Sequence, residues 1–232
     1  MGGDGAGAVG GPGGKRVAGQ GYSGGSAGRA WRKARADRQG ARRARMGFDR
    51  APQVQVRRCT AQDAAVLAQV CAETFQDTFA ADNTAKDMEV FLAESYSPQV
   101  LAAELADPES SYWLATVDGI PAAYLKTNVG KAQTEPVEGR IPQPSLEVQR
   151  IYVRLPYKRR GLGARLMGVA LDEARAHAAA SIWLGVWERN TAALAFYERL
   201  GFTRFGEHVF QVGSDAQTDY LMVCPVERLA MV

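Results

Sequence analysis

The chain has 232 residues, with 28 Lys and Arg, 25 Asp and Glu, and a formal net charge of +3. Because 46% of the residues are hydrophobic, they suffice for one core-forming domain with additional segments. The two histidines and three cysteines lack the spacing of metal or disulfide frameworks, so we expect no metal cofactor and a reducing, cytoplasmic setting. No apolar run approaches a membrane span, so we expect no membrane partner.

The positive charge is concentrated in residues 1–50. This segment holds 11 Lys and Arg, three acidic residues and 15 of the 25 glycines, whereas residues 51–232 hold 17 basic and 22 acidic residues. A segment rich in Gly and Arg with few bulky apolar side chains cannot bury enough surface to fold. We therefore predict a disordered tail at 1–50 and one folded domain at 51–232, whose negative charge favours a cationic ligand over nucleic acid.

The tail has three interpretations. It is basic enough to bind nucleic acid nonspecifically, and its Arg-rich, acid-poor composition is also typical of an organelle transit peptide. The third and favoured interpretation places the true start of translation at Met46, just before the domain.

The first part of the domain predicts one strand and three helices. The strand is Gln53–Cys59, which alternates apolar and polar residues. A hydroxyl N-cap followed by an acid predicts a helix start at Thr60, with the helix running to about Asp77. Residues Phe79–Tyr96 predict a loop and a short helix, and the serine before a proline at Ser97 starts a third helix.

The second part predicts the remaining elements. They are hairpin strands at 112–117 and 120–128, a surface loop at 131–144, a strand at 146–153, a helix from 164 to near 180, a buried central strand at 181–187, a short helix at 190–200 and final strands at 202–211 and 218–224, with a turn at 213–215. This order indicates an α+β or mixed α/β sheet, not a regular doubly wound one.

A candidate phosphate site lies where the strand at 146–153 leads through a basic turn into the next helix. The turn reads KRRGLGA over Lys158–Ala164. Backbone N–H groups at a helix start have no intrahelical acceptor, and the helix dipole adds partial positive charge. The stretch lacks the GK[ST] of a P-loop and the third glycine of a dinucleotide fingerprint.

Three segments resemble the GNAT superfamily of acetyl-CoA-dependent N-acetyltransferases. They are Arg150–Val153, the x-x-G-x-G of Arg159–Gly163, and the N-x-x-A-x-x-F-Y-x-x-x-G-F of Asn190–Phe202. Further segments resemble PaiA-type spermidine/spermine acetyltransferases: ETFQDTF at 73–79, LEVQRIYV at 146–153, IWLGVWERN at 182–190, GEHVFQVG at 206–213 and QTD at 217–219. One departure is Lys158, where the family usually has Gln or Arg; lysine keeps the cation but loses the bidentate grip of arginine.

The resemblance implies a GNAT fold, in which helices flank a mostly antiparallel, twisted sheet of about seven strands. It also implies acetyl-CoA as co-substrate, with the pantetheine arm along the strand and the pyrophosphate on the turn. The implied cofactor-binding residues are Ile151, Tyr152, Val153, Lys158, Arg159, Arg160, Gly161, Leu162, Gly163, Ala164 and Asn190. For Asn190 the alternative role is helix capping.

Two residues are predicted to act in catalysis. The resemblance implies that Tyr197 is the general acid that protonates the departing CoA sulfur. The alternative is ordinary aromatic packing. Glu147, three residues before Arg150, is the candidate base, acting through water; the alternative is an exposed strand carboxylate.

Three carboxylates are predicted to bind the acceptor. Glu73 and Asp77 share a helix face through their i,i+4 spacing, and Asp82 lies just beyond. Such a group suits a ligand with several ammonium groups, although a solvated face is the alternative. His208 is a further candidate for a position near the acceptor, but a core or hydrogen-bonding role is favoured.

The sequence thus predicts an enzyme that transfers acetyl from acetyl-CoA to a primary amine of spermidine or spermine, by direct attack in a ternary complex. The alternatives are another amine acceptor (a protein N-terminus, a lysine or an aminoglycoside) and a non-catalytic acyl-CoA-binding regulatory module. The resemblance also leaves a homodimer through a sheet edge open.

Overall fold

The computed structural model describes residues 51–212 and 215–230. The predicted tail at 1–50 and most of the predicted turn at 213–215 lie outside them. Strands are numbered in chain order: β1 Val54–Arg58, β2 Ser110–Val117, β3 Ile120–Asn128, β4 Ser145–Val153, β5 Ser181–Trp187, β6 Thr203–Val212 and β7 Asp215–Pro225. The helices of the described part are α1 Ala64–Phe79, α2 Ala85–Tyr96, α3 Pro98–Ala106, α4 Leu162–Ala176 and α5 Thr191–Arg199.

The seven strands form one sheet in the order β1-β2-β3-β4-β5-β7-β6. Neighbouring strands are antiparallel except β4 and β5, which run parallel because the α4 crossover joins them. The predicted mixed α/β architecture and the order of its elements are confirmed. Within the described ranges, no helix is long and apolar enough to cross a membrane.

Local capping signals explain where the first three helices begin. Thr60 and Asp63 form a capping box ahead of α1, and Ser97 accepts a hydrogen bond from the Val100 amide at the start of α3. The sequence predicted a loop and a short helix over 79–96, and α2 in fact has 12 residues and fills most of this range. Its signal was the cap Thr84, whose hydroxyl accepts a hydrogen bond from the Asp87 amide at 3.1 Å.

The sheet separates two apolar clusters. On one face, α4 and α5 pack through residues such as Leu166 and Leu200; on the other, α1–α3 pack through residues such as Leu67 and Leu101. The loop at 131–144 lies on the surface as predicted, with most of its residues exposed, but two of its apolar side chains are buried. Its Val137 and Ile141 are buried with Trp183 of β5, so the loop covers part of the sheet.

Helix α4 begins two residues earlier and ends about four residues earlier than predicted. It ends because Ala178 adopts a left-handed conformation with φ 51°. The Ala179 amide then donates to the Ala174 carbonyl at 2.8 Å, a bond that closes the last turn. The next amide, of Ala180, donates to Pro144 at 2.7 Å, which leads the chain directly into β5.

A buried ionic cluster ties α3 to the middle of the sheet. Glu104 of α3 forms ion pairs of 2.8 Å with Lys126 of β3 and with Arg150 of β4. The hydroxyl of Tyr112 on β2 donates to the same carboxylate. Burial acts to raise the pKa of Glu104, but Arg150 and Lys126 outweigh it and hold that pKa below its ordinary value.

We expect Glu104→Gln to lower the free energy of unfolding at pH 7 by about 3–5 kcal/mol, because two mostly buried cations would lose their counter-charge. Since the folded-state pKa of Glu104 is depressed, its stabilisation is complete above about pH 4.3 and is lost as the pH falls through the folded value. Urea unfolding from pH 7 to pH 3 measures both effects. The exposed Glu94→Gln on α2 is the control, and an equal, small loss in the two variants would contradict the prediction.

Candidate active site

The two parallel strands at the centre of the sheet pair over a short length only. Their partners are Ser145 with Ser181, Leu146 with Ile182 and Glu147 with Trp183. Beyond these pairs β4 and β5 diverge, while β5 remains paired with β7 over its whole length. The result is a V-shaped gap, which we call the β4–β5 gap, between residues 148–153 and 184–187.

A β-bulge in β4 accounts for the divergence. On its other edge β4 pairs with β3, and the register shifts so that Val148 lies opposite Thr127 and Arg150 opposite Lys126. Gln149 is therefore an extra residue, and a bulge bends the strand that carries it. The predicted cofactor residues Ile151, Tyr152 and Val153 follow the bulge and are half-buried along the gap.

The turn between β4 and α4 presents a row of backbone N–H groups. Two residues of the turn are left-handed: Arg159 at φ 64° and Gly161 at φ 78°. Among the described residues, none accepts a hydrogen bond from the amides of residues 159–164. Alternating backbone conformations of this kind form a concave anion site, and here it continues into the first turn of a helix.

Glycine is favoured at two positions of the turn, for a different physical reason at each. A side chain at Gly161 would meet nothing within 4 Å, so glycine is favoured there by its positive φ alone. At Gly163 a β-carbon would lie 3.6 Å from the Phe196 ring of α5, so the small residue lets α5 approach the start of α4. Lys158, Arg159 and Arg160 are exposed around the row of amides.

Helix α5 carries the predicted acid. The Asn190 side chain accepts a hydrogen bond from the Ala193 amide at 3.2 Å and so caps this helix. Tyr197 is buried, with its ring 5.3 Å from Phe196 and 5.7 Å from Phe202. Burial raises the pKa of Tyr197 well above its ordinary value, so its hydroxyl keeps its proton at neutral pH.

Glu147, the predicted base, lies where β4 and β5 still pair and is 2% exposed. Its carboxylate accepts hydrogen bonds from the Asn128 side chain at 2.8 Å and from the Thr134 amide at 3.0 Å, and also from the Thr134 hydroxyl. Burial raises its pKa despite these bonds. The alternative of an exposed strand carboxylate is wrong, and these contacts hold the loop at 131–144 against the sheet.

The three carboxylates predicted to bind the acceptor have different surroundings. Glu73 pairs with Arg154 at the end of β4 through two contacts of 2.9 Å. Asp77 is exposed and lines a cleft of about 680 Å³ between α1 and α2. Asp82 is exposed, with Arg189 at 3.7 Å.

The structure also brings together a cluster that the sequence did not predict. His208 of β6 lies between Glu135 of the loop, with Nδ1 and the carboxylate 2.7 Å apart, and Asp219 of β7, with Nε2 and the carboxylate 3.7 Å apart. The sequence signals were the resemblance segments that contain His208 and Asp219, whereas Glu135 had none because it lies in an aperiodic loop 73 residues away from His208.

The comparisons with known proteins agree with this geometry. A model of the acetyltransferase (GNAT) family matches residues 71–202. An N-acetyltransferase from the pepI 3' region of Lactobacillus delbrueckii subsp. lactis is 43% identical over 153 residues, which cover 66% of this chain and 86% of that protein. The N-alpha-acetyltransferase RimI of Mycobacterium tuberculosis is 34% identical over 154 residues, which cover 65% and 84%.

Among solved structures, the chain is similar to a PaiA N-acetyltransferase from Thermoplasma acidophilum in complex with coenzyme A. The TM-score is 0.57 at 18% identity, and the match covers 75% of this chain and 99% of that one. At this identity the likeness supports the fold, while the family match and the sequence relatives carry the assignment. The chain belongs to the GNAT family and is an acetyl-CoA-dependent N-acetyltransferase.

Proposed function

We propose that the enzyme acetylates a primary amine of a small polyamine such as spermidine or spermine, by direct attack in a ternary complex. The acetyl-transfer part of this proposal rests on the β4–β5 gap and on the row of unpaired backbone amides in the turn that follows β4. The observation that supports a polyamine is the set of carboxylates on α1 and the segment after it, in a domain of net negative charge.

The residues of the gap and the turn fit acetyl-CoA. The open edge of β4 offers the backbone groups of residues 151–153 to the amides of a pantetheine arm, as an added strand would. The unpaired amides of residues 159–164 suit a pyrophosphate, and Lys158, Arg159 and Arg160 add positive charge. When bound, acetyl-CoA supplies a thioester carbonyl that an amine can attack.

In this proposal Tyr197 donates its proton to the departing thiolate. Its helix contacts the turn through Phe196 and Gly163, and its raised pKa keeps the proton in place until a strong base forms beside it. Glu147 remains a prediction for the proton acceptor. Its raised pKa suits a base, but both carboxylate oxygens already accept hydrogen bonds from Asn128 or Thr134.

The acceptor carboxylates also remain a proposal. Asp77 and Asp82 are both exposed on the side of the sheet covered by α1 and α2, so an ammonium group can reach them, although Asp82 already has Arg189 at 3.7 Å. Glu73 is less available, because an ammonium group would have to displace Arg154 from a two-contact ion pair. A ligand with several ammonium groups spaced along a chain would meet more than one of these charges.

A second candidate acceptor is the α-amine of a peptide. The observation that favours it is the 34% identity to a relative named as an N-alpha-acetyltransferase. The same gap, turn and acid would serve that reaction, since only the group that carries the amine differs.

We expect the enzyme, supplied with acetyl-CoA, to release free CoA thiol faster with spermidine or spermine than with the control amines. The controls are putrescine, an α-amine peptide, a lysine peptide and an aminoglycoside. A thiol-reactive dye follows the release, and mass spectrometry identifies the acetylated amine. If no polyamine exceeds the rate in buffer, the polyamine proposal is wrong, and a response to the α-amine peptide alone would select the second candidate.

Gly161→Ala should weaken coenzyme A binding by about tenfold or more, because a left-handed residue with a β-carbon costs ~1–2 kcal/mol and the turn relaxes to avoid it. Gly119→Ala is a matched control. Gly119 has φ 80° against 78° for Gly161, and neither position has an atom within 4 Å of an added β-carbon. Calorimetry should therefore show similar losses of stability in both variants, with weaker coenzyme A binding in the first alone.

Replacing Tyr197 with Phe should lower kcat by about 10²-fold or more, the ordinary contribution of a general acid, while the Kd for acetyl-CoA stays within about twofold. Steady-state kinetics and calorimetry measure the two quantities, and Tyr220→Phe on β7 serves as the control. An unchanged kcat at every pH would exclude Tyr197 as the acid.

A further inference from the structure

The middle of β5 has an opening on the sheet face that carries α1–α3. Side chains of a strand alternate, so Trp183, Gly185 and Trp187 point to the same face. The two tryptophans are buried, whereas Gly185 between them is exposed. The exposed glycine borders the β4–β5 gap, since residues 184–187 have no partner on β4.

Two polar side chains face this opening from the neighbouring strands. His208 and Asp219 lie opposite each other in the β6–β7 pairing. A β-carbon at Gly185 would lie 3.4 Å from His208 Nε2 and 3.5 Å from an Asp219 carboxylate oxygen. A small group placed over Gly185 would therefore touch both side chains.

The third member of the cluster sets the orientation of the imidazole. Glu135 accepts a hydrogen bond from His208 Nδ1 at 2.7 Å, so in the neutral ring the proton lies on Nδ1 and the lone pair on Nε2. Nε2 and Asp219 Oδ1 are both buried without a hydrogen-bond partner among the described residues. Of these two atoms, Nε2 lies next to Gly185, and an unpaired nitrogen beside an exposed glycine indicates a site for a hydrogen-bonding ligand.

The charges around His208 suit a cation. Glu135 faces it from the loop and Asp219 from β7, and these two carboxylates exceed the single charge of an imidazolium. Asp219 contributes most to a raised pKa of His208, burial opposes it and Glu135 adds to it, so the ring is a stronger base than a free histidine.

We propose that the acceptor amine binds over Gly185, with Asp219 holding its ammonium form and His208, rather than Glu147, taking the proton that must leave before attack. Glu135 acts as a positioning residue. This inference rests on the acetyl transfer proposed above. An alkylammonium with a pKa of ~10.4 is almost entirely protonated at pH 7, so a base next to the nitrogen is needed.

The proton balance of the step is complete. The ammonium gives one proton to His208 Nε2, and its lone pair forms the C–N bond as the C–S bond breaks. Tyr197 gives its proton to the thiolate and regains one from the new amide nitrogen. The proton on His208 then leaves to solvent, so that one proton is released for each acetyl group transferred.

The test compares His208→Gln with His177→Gln in the full chain. The two are the only histidines, and His177 is exposed at the end of α4. His208→Gln should lower kcat about 10²-fold or more at pH 7, with the Kd for acetyl-CoA unchanged, and the deficit should shrink toward pH 10 as the free amine deprotonates itself. Glu135→Gln should shift the acid limb of the kcat/KM profile to lower pH, because Glu135 raises the pKa of His208; a merely structural role would not move it.

Gly185→Ala provides a variant that leaves both side chains in place. It should raise the KM for the amine about tenfold with little effect on stability, since the added methyl group makes only ordinary contacts. If the wild type is active and both His208→Gln and Gly185→Ala keep its kinetics, the inference is wrong while the proposed function stands. A loss of activity in Glu147→Gln would then place the base at Glu147. If the wild type acetylates no amine, the proposed function itself fails.

Discussion

The candidate active site depends on one constraint: the two central parallel strands cannot stay paired. Three residue pairs join β4 to β5, and the extra residue Gln149 then bends β4 away. Unpaired backbone groups inside a protein are costly unless a ligand or water satisfies them. The backbone groups along the gap therefore lack hydrogen-bond partners that an extended, amide-bearing molecule such as a pantetheine arm can supply. In the turn after β4, the unpaired N–H groups can in the same way be satisfied by an anion.

Charge divides the site into two regions with opposite preferences. The turn before α4 carries three exposed basic side chains and a row of unpaired amides, which favour phosphate. The opposite sheet face carries carboxylates around Gly185 and on α1, which favour an ammonium group. In the separate cluster of Glu104, Lys126 and Arg150, one carboxylate pairs with two cations and keeps α3 on the sheet.

Locally encoded features were predicted well, and features that depend on distant partners were not. The capping box at Thr60 and the N-cap Ser97 act within four residues, so the sequence pattern located both helix starts. The surface loop at 131–144 has no periodicity, and the burial of its Val137 and Ile141 depends on Trp183, some forty residues further along the chain. The size of α2 was underestimated although Thr84 carries the same kind of cap.

By itself, the sequence determined the order of the elements, the family and the turn that presents its amides, because each depends on short patterns of residue type. Tertiary structure alone decided which side chains the carboxylates contact. Glu73 meets Arg154 across 81 residues and Glu135 meets His208 across 73, through contacts that no local pattern specifies. The physical reason is that strand register and loop packing set which side chains share a space, and these depend on the whole sheet.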